Sequence, residues 1–297
     1  MGLFQPGCLS ETIEATAAAA IESGALKPIP THAESISDAG VDFQLRVVEH
    51  LASKPQPVQT PHGDAPSESR SNPFLPYDEA MFVANISRTH ICLLNKFNVV
   101  PHHILMVTRQ FQDQQQLLNQ HDFNAVWRCL AEFPALAFYN SGLLAGSSQR
   151  HKHLQMIPLP HTNGVVSTPI SPLIEKLPAG DQVTRVPGLD FRHALARLPA
   201  DFDPTAESAV AATLEIYTAL LDEFGFSAEP IAPCHCSHPY NLLLTRQWMM
   251  LIPRSAEKYE GISINALGFA GLFLAQDQQQ LDTLKNVGPS NALREVA

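Results

Sequence analysis

The chain has 297 residues, 45% of them apolar and 16% charged, with a formal net charge of −10. That is enough for one large domain or two intimate ones with ample core, and no apolar run approaches the ~18–20 residues that span a bilayer. The acidic balance argues against non-specific nucleic-acid binding, which needs a broad basic surface, so an anionic ligand would have to be held by a local cluster of donors.

The first residues, MGLFQPGCLSETIEATAAAAIESG, lack a basic leader and carry Glu11 and Glu14; the expectation is no signal peptide and a cytoplasmic protein. Cys8, Cys92, Cys129, Cys234 and Cys236 are an odd, scattered set, which fits reduced thiols better than a disulfide framework. Residues 10–23 are Ala-rich and predict a helix with Ser10 at its N-cap. The alternation in VDFQLRV, 41–47, predicts a strand. Residues 54–73, rich in Pro, Ser and charge, predict a long mobile surface loop.

Three strands are expected between 79 and 108, in EAMFVANI, HICLLNK and HILMVT. Residues 112–133 are Gln-rich, with Leu117, Leu118, Phe123, Val126, Trp127 and Leu130 at helical spacing, and predict a helix or two. Strands are expected at Leu136–Tyr139 and His151–Ile157, around a loop over 140–150. Residues 161–190 read as irregular. A helix is expected over 205–224, with Asp203 as N-cap and Pro204 in the first turn. A strand pair is expected over 241–253, turning at Arg246 and Gln247, and the tail beyond Ile262 reads as helical. Strands and helices do not alternate as βαβ units, which makes the fold class α+β with a largely antiparallel sheet.

The stretch GSSQRHKHLQ, 146–155, carries the chemistry. In a strand, His151, His153 and Gln155 share one face, and Lys152, Leu154 and Met156 the other. A neutral imidazole is a good nucleophile at pH 7. Attack on phosphorus would give a phosphoramidate, provided that the second ring nitrogen keeps its proton and is held by an acceptor. The preceding Gly-Ser-Ser-Gln offers backbone N–H groups and hydroxyls that can cradle phosphate oxygens. Taken alone, His-x-His is equally compatible with a metal-chelating pair or with a structural role.

With its flanks, the motif resembles the diadenosine tetraphosphate phosphorylases (ATP adenylyltransferases) of the histidine-triad superfamily, relatives of galactose-1-phosphate uridylyltransferase. The resemblance rests on FYNSG and AGSSQ before HKHLQ, on LLNKFNVVPHHILMVT (93–108), and on NPFLPY (72–77) and YNLLLTRQWMMLIPR (240–254). It implies a HIT-like sheet with flanking helices, elaborated at both ends: a catalytic region over 1–190, and a C-terminal adenylyltransferase region over 191–297 packed with it as one unit. It further implies phosphorolysis of the dinucleotide to ATP and ADP through a nucleotidyl-histidine, with His153 as nucleophile, His151 orienting the site, and Gln155 standing where hydrolase relatives have a third histidine. By the same resemblance, substrate-binding roles fall to Lys54, Asn95, Lys96, Asn140, Gly146, Ser147, Ser148 and Gln149, and more weakly to Thr245, Met250 and Arg254. The implied partners are a dinucleoside polyphosphate, ATP, ADP and phosphate, with neither nucleic acid nor membrane. The implied cofactor is a divalent cation, magnesium carried by the polyphosphate; no organic cofactor and no metal-ligating residues are assigned.

Lys152 faces away from His153 in this reading and receives no catalytic role. The cluster CHCSH, 234–238, packs four candidate ligands too closely to wrap a tetrahedral metal without strain. The rival readings are a hydrolase of the same superfamily, disfavoured by Gln155; a metal-dependent hydrolase using His151 and His153 as ligands; and a nucleotide-binding protein without turnover.

Overall fold

The computed structural model describes residues 2–49, 72–159, 161–162, 165–178, 180, 182–199, 201–206, 208–228 and 235–297. In chain order the elements are α1 (Leu9–Glu22), β1 (Thr31–Asp38), β2 (Val41–Val48), β3 (Phe82–Asn85), β4 (His90–Leu94), β5 (Ile104–Thr108), α2 (Gln120–Leu130), β6 (Ala135–Asn140), β7 (His153–Pro158), β8 (His161–Thr162), β9 (Val165–Val166), α3 (Ser171–Ile174), β10 (Ala194–Arg197) and α4 (Ser208–Asp222). They continue with β11 (Tyr240–Leu244), β12 (Trp248–Pro253), β13 (Lys258–Tyr259), β14 (Ile262–Ser263), α5 (Ala266–Phe269), β15 (Leu272–Ala275), α6 (Gln278–Val287) and α7 (Pro289–Val296). This is the expected α+β class.

Eight strands form one sheet in the order β10-β12-β11-β6-β7-β5-β4-β3, and every pair in it is antiparallel. Strands from both halves of the chain enter this sheet: β6 pairs with β7 on one side and with β11 on the other. A smaller sheet joins β1, β2 and β15, with β15 parallel to β2.

Both faces of the large sheet are covered, which is why its strands read as apolar runs. On the back face, Leu154 and Met156 of β7, Met106 of β5 and Tyr139 of β6 share a core with Ile13 of α1, Phe123 and Trp127 of α2 and Tyr217 of α4. On the front face, Phe138 and Ile157 meet Phe43 and Leu45 of the small sheet and Phe269 and Leu293 of the C-terminal helices. β7 lies in the middle of the order, so its front-facing side chains open between these two layers.

Several boundaries differ from the sequence reading. α1 starts at Leu9, after Cys8, which makes no side-chain cap. The Gln-rich stretch is helical only from Gln120, because Asn119 and Asp122 form a capping box there. Residues 112–118 instead run as irregular chain whose backbone serves the site. Asp203 caps a turn at Thr205, ahead of α4. The tail holds a strand, β15, where the sequence predicts only helix, and β1 has no counterpart in the sequence reading. Cys8, Cys92 and Cys129 are free thiols, Cys236 is buried, and Cys234 lies outside the described residues. No helix among the described residues is long and apolar enough to cross a membrane.

Arg254, expected at the substrate, is a buried strut. Its guanidinium donates to the carbonyls of Val296 (3.1 Å), Ile264 (2.8 Å) and Ala256 (2.6 Å) and to Asn241 Oδ1 (2.6 Å), and it stacks over Phe269. Burial lowers its pKa to about 10, so it stays charged at neutral pH. This one side chain ties the C-terminal segment to β11. Removing it strands several buried carbonyls, each worth about 1–3 kcal/mol. Arg254→Ala is therefore expected to lose about 3 kcal/mol or more, seen as a lower urea midpoint of unfolding. A midpoint within error of wild type would contradict the strut.

Candidate active site

The geometry is built outward from His153. Its Nδ1 lies 2.8 Å from the backbone carbonyl of His151. A carbonyl can only accept, so Nδ1 carries the proton and Nε2 keeps its lone pair. Burial lowers the His153 pKa to about 4, against a smaller opposing effect of the hydrogen bond to His151. The ring is neutral at pH 7 and lines a cavity of about 760 Å³.

His151 occupies a different position. The Asn72 amide nitrogen lies 2.9 Å from Nδ1, and since Asn72 Oδ1 accepts from the Phe74 N–H, that amide donates and Nδ1 accepts. Nε2 then donates to the Thr108 carbonyl at 2.7 Å. Phe74 packs against both imidazoles and Phe111 against His151. With both nitrogens of His151 and Nδ1 of His153 engaged, the pair has no arrangement in which to chelate a metal as it stands. Among the described residues no three His, Cys, Asp or Glu side chains converge on a point.

Gln155 lies on the same face of β7 and also lines the cavity. Its Oε1 accepts from His103 Nε2 at 3.0 Å, and His103 Nδ1 accepts from the Asn95 amide at 3.0 Å. The relay leaves the Gln155 NH₂ as the donor turned to the cavity. Burial lowers the His103 pKa to about 4, with the Gln155 hydrogen bond opposing, so this imidazole is also neutral.

The loop after β6 closes the site from another side. Gly146, Ser148 and Gln149 line the cavity. Ser147 does not; its hydroxyl donates to the Gln149 carbonyl and shapes the loop. Gly146 has φ +84°, and a Cβ there would stand 2.9 Å from Cβ of Asn265, so glycine allows both the turn and the close approach of the opposite wall. Asn140 lines the cavity while its Oδ1 accepts from Asn241 and from the Ala266 N–H. Lys96 is exposed at the rim.

Three expected binding residues are elsewhere. Met250 is buried in the front-face core, Thr245 holds the β11–β12 turn through Oγ1, and Arg254 is the strut described above. None of them lines the cavity, because the strand pair that carries them faces core rather than ligand at these points. Lys54 and most of the loop expected over 54–73 lie outside the described residues; Asn72 and Pro73 are described.

Other parts of the site escape a reading of the sequence. His103 shows there only as the polar head of an apolar strand, on the face shared by Leu105 and Val107. Gln114 sits in a run of glutamines that looks solvated, yet its Oε1 accepts the His153 N–H at 2.8 Å, and its Nε2 donates to the carbonyls of Asn140 and His153. Arg46 reaches the cavity from β2. The far wall is formed by 263–280, including Asn265, Gly268, Leu272 and Gln276; nothing in that segment marks it as ligand-facing.

Residues 2–176 match the family model described as Ap4A phosphorylase N-terminal domain, and residues 187–297 match ATP adenylyltransferase C-terminal domain. Diadenosine 5',5'''-P1,P4-tetraphosphate phosphorylase 2 of Saccharomyces cerevisiae is 29% identical over 93% of this chain and 90% of its own length. The crystal structure of yeast Ap4A phosphorylase Apa2 in complex with Ap4A superposes with a TM-score of 0.78 at 25% identity, covering 99% of this chain and 98% of that one. The Apa2 complex with AMP gives a TM-score of 0.77, also at 25% identity, over 100% and 98%. With matches that together span nearly its whole length, the chain belongs to the Ap4A phosphorylase (ATP adenylyltransferase) family.

Proposed function

We propose that the protein cleaves diadenosine tetraphosphate with inorganic phosphate, giving ATP and ADP, by way of an adenylyl group on His153. The observation that carries this reading is the bond from Nδ1 of His153 to the His151 carbonyl, which leaves a neutral, cavity-facing Nε2 as nucleophile. Nε2 attacks the phosphorus next to one adenosine, a P–N bond forms, and the P–O bond to the departing ATP breaks. The ring keeps its Nδ1 proton throughout, so the intermediate is an imidazolium whose charge the His151 carbonyl faces. A phosphate oxygen then attacks the same phosphorus, the P–N bond breaks, ADP leaves with the added phosphate, and neutral His153 returns.

The Gln155 amide supports transfer over hydrolysis. It can donate to a phosphoryl oxygen but cannot titrate near pH 7, so it gives water no base, whereas phosphate is already anionic. Lys96 and Arg46 are the basic side chains, histidine apart, that line the cavity among the described residues. They are few for a tetraphosphate, and with no converging ligand set among the described residues, a magnesium ion would enter on the polyphosphate as part of the substrate.

Two outcomes test the reading. Incubated with diadenosine tetraphosphate, the protein is expected to yield ATP and ADP only when phosphate is present, with AMP release very slow otherwise. His153→Ala should lose about 10⁴–10⁶ in kcat, and acid-free mass spectrometry should find the adenylyl group on the His153 peptide. Rapid AMP release without phosphate would make the protein a hydrolase.

The second outcome concerns pH. With a His153 pKa of about 4 against an ordinary 6.5, kcat/KM should hold from pH 7 to about pH 5 and fall as pH drops through about 4, where Nε2 takes a proton. Stability has the same sign. Between about pH 6.5 and 4, the unfolded chain binds protons that folded His103 and His153 refuse, so the unfolding free energy falls as pH falls through that window. An acid limb of kcat/KM centred near 6.5 would show an exposed, ordinary imidazole instead.

A further inference from the structure

Lys152 sits between the two histidines, and its side chain is 0% exposed. Lysine is almost never fully buried unless it is paired, and this one is held at two points behind the sheet. Its Nζ lies 2.6 Å from Asp122 Oδ2 and 2.9 Å from the Leu117 carbonyl. Asp122 is equally buried and is itself fixed: it accepts from the Asn119 N–H at the start of α2, and its other oxygen lies 3.1 Å from His90 Nε2 on β4. Burial alone would raise the Asp122 pKa, but the His90 hydrogen bond and the Lys152 charge hold it below the usual value, so the carboxylate is ionised.

The backbone explains what such an anchor is for. The bond that sets the tautomer of the nucleophile runs from His153 back to the carbonyl of His151. Only the φ and ψ of Lys152 and the torsions of His153 lie between those two atoms. The regular ladder of β7 begins at His153, so Lys152 is outside it. There the main chain pairs instead with the Gln112 carbonyl at 2.8 Å and the Thr108 N–H at 3.2 Å. An apolar side chain would fill the same space without direction. An ammonium held by a carboxylate and a carbonyl fixes where the end of the chain points.

We propose that Lys152, through its ion pair with Asp122, is a positioning residue for His153: it holds the 151–152 peptide so that the His151 carbonyl stays on Nδ1 and Nε2 stays the nucleophile. The kinetic side of this proposal rests on the adenylyl-transfer reading; the tautomer side does not.

The test uses the full chain carrying Lys152→Met with Asp122→Asn. This pair of changes removes both charges and leaves no lone buried ion, while the carboxamide that replaces the Asp122 carboxylate can still accept at the helix start. Histidine-selective ¹⁵N NMR reads the His153 tautomer, and steady-state kinetics are measured with diadenosine tetraphosphate and phosphate. The expected result is a folded protein with kcat lower by about 10²-fold, the scale of a misplaced reacting group. KM should change by less than about twofold, since uniform binding is untouched, and the single Nδ1–H form of wild-type His153 should be replaced by a mixture. A folded variant with wild-type kcat overturns the proposal. So does a low kcat with an unchanged tautomer, because the effect would then run by another route. If the double variant does not fold, Lys152→Met alone, in which Asp122 keeps His90 Nε2 and the Asn119 N–H, is read by the same NMR signature: a mixture supports the proposal and the wild-type form refutes it. Should the wild type fail to turn over the dinucleotide, the functional reading falls, and the tautomer comparison still decides this one.

Discussion

One hydrogen bond organises the site. The His151 carbonyl can accept and cannot donate, so the 2.8 Å contact with Nδ1 of His153 settles which ring nitrogen carries the proton. Neighbouring contacts hold both histidines in place for it. Gln114 takes up the His153 N–H and ties it to Asn140. Thr108 and Asn72 occupy both nitrogens of His151, so that residue contributes its backbone to the site while its ring stays engaged. Burial keeps the His153 ring neutral, as the proposed nucleophilic role requires.

That contact depends in turn on a sheet buried on both faces. On the back face of β7, Leu154 and Met156 share a core with Phe123 and Trp127 of α2, and the buried Lys152–Asp122 pair adds a polar anchor at the strand's entry. The front face opens into a cavity whose floor is the large sheet and whose far wall belongs to the C-terminal segment. Arg254 holds that wall in place by binding carbonyls of 256, 264 and 296 together with Asn241. Asn241 in turn donates to Asn140 Oδ1 and to the carbonyl of Ala145 beside the 146–149 loop. A chain of buried polar contacts thus connects the far wall to the strand that carries His153. In a low-dielectric interior such contacts are costly to leave unsatisfied, which makes the geometry hard to relax.

The cavity's charge is sparse. The protein carries a formal net charge of −10, and Lys96 and Arg46 are the cationic side chains, histidine apart, on the cavity wall among the described residues. The cavity wall is otherwise furnished with neutral hydrogen-bonding groups, among them Ser148, Gln149 and the Gln155 amide. The far wall, with Asn265, Leu272 and Gln276, is neutral.

Sequence alone determined what local periodicity can carry. A period of two placed His153 and Gln155 on one face of a strand, with Lys152, Leu154 and Met156 on the other, and the apolar runs marked every strand of the large sheet except β10. The glycine and serines before the motif marked the loop. What tertiary structure decided were relations between residues far apart in the chain. Arg254 falls among the substrate-binding residues that the resemblance implies; only its burial against three carbonyls makes it a strut. Gln114 looks like its exposed neighbours until the fold sets it against the His153 backbone. His103, Arg46 and the 263–280 wall reach the cavity because β5, β2 and β15 are brought beside it, and strand order is written in no local pattern. Periodicity reports which side of an element is buried; it carries no information on what that side is buried against, and at this site the partner is what gives each residue its chemistry.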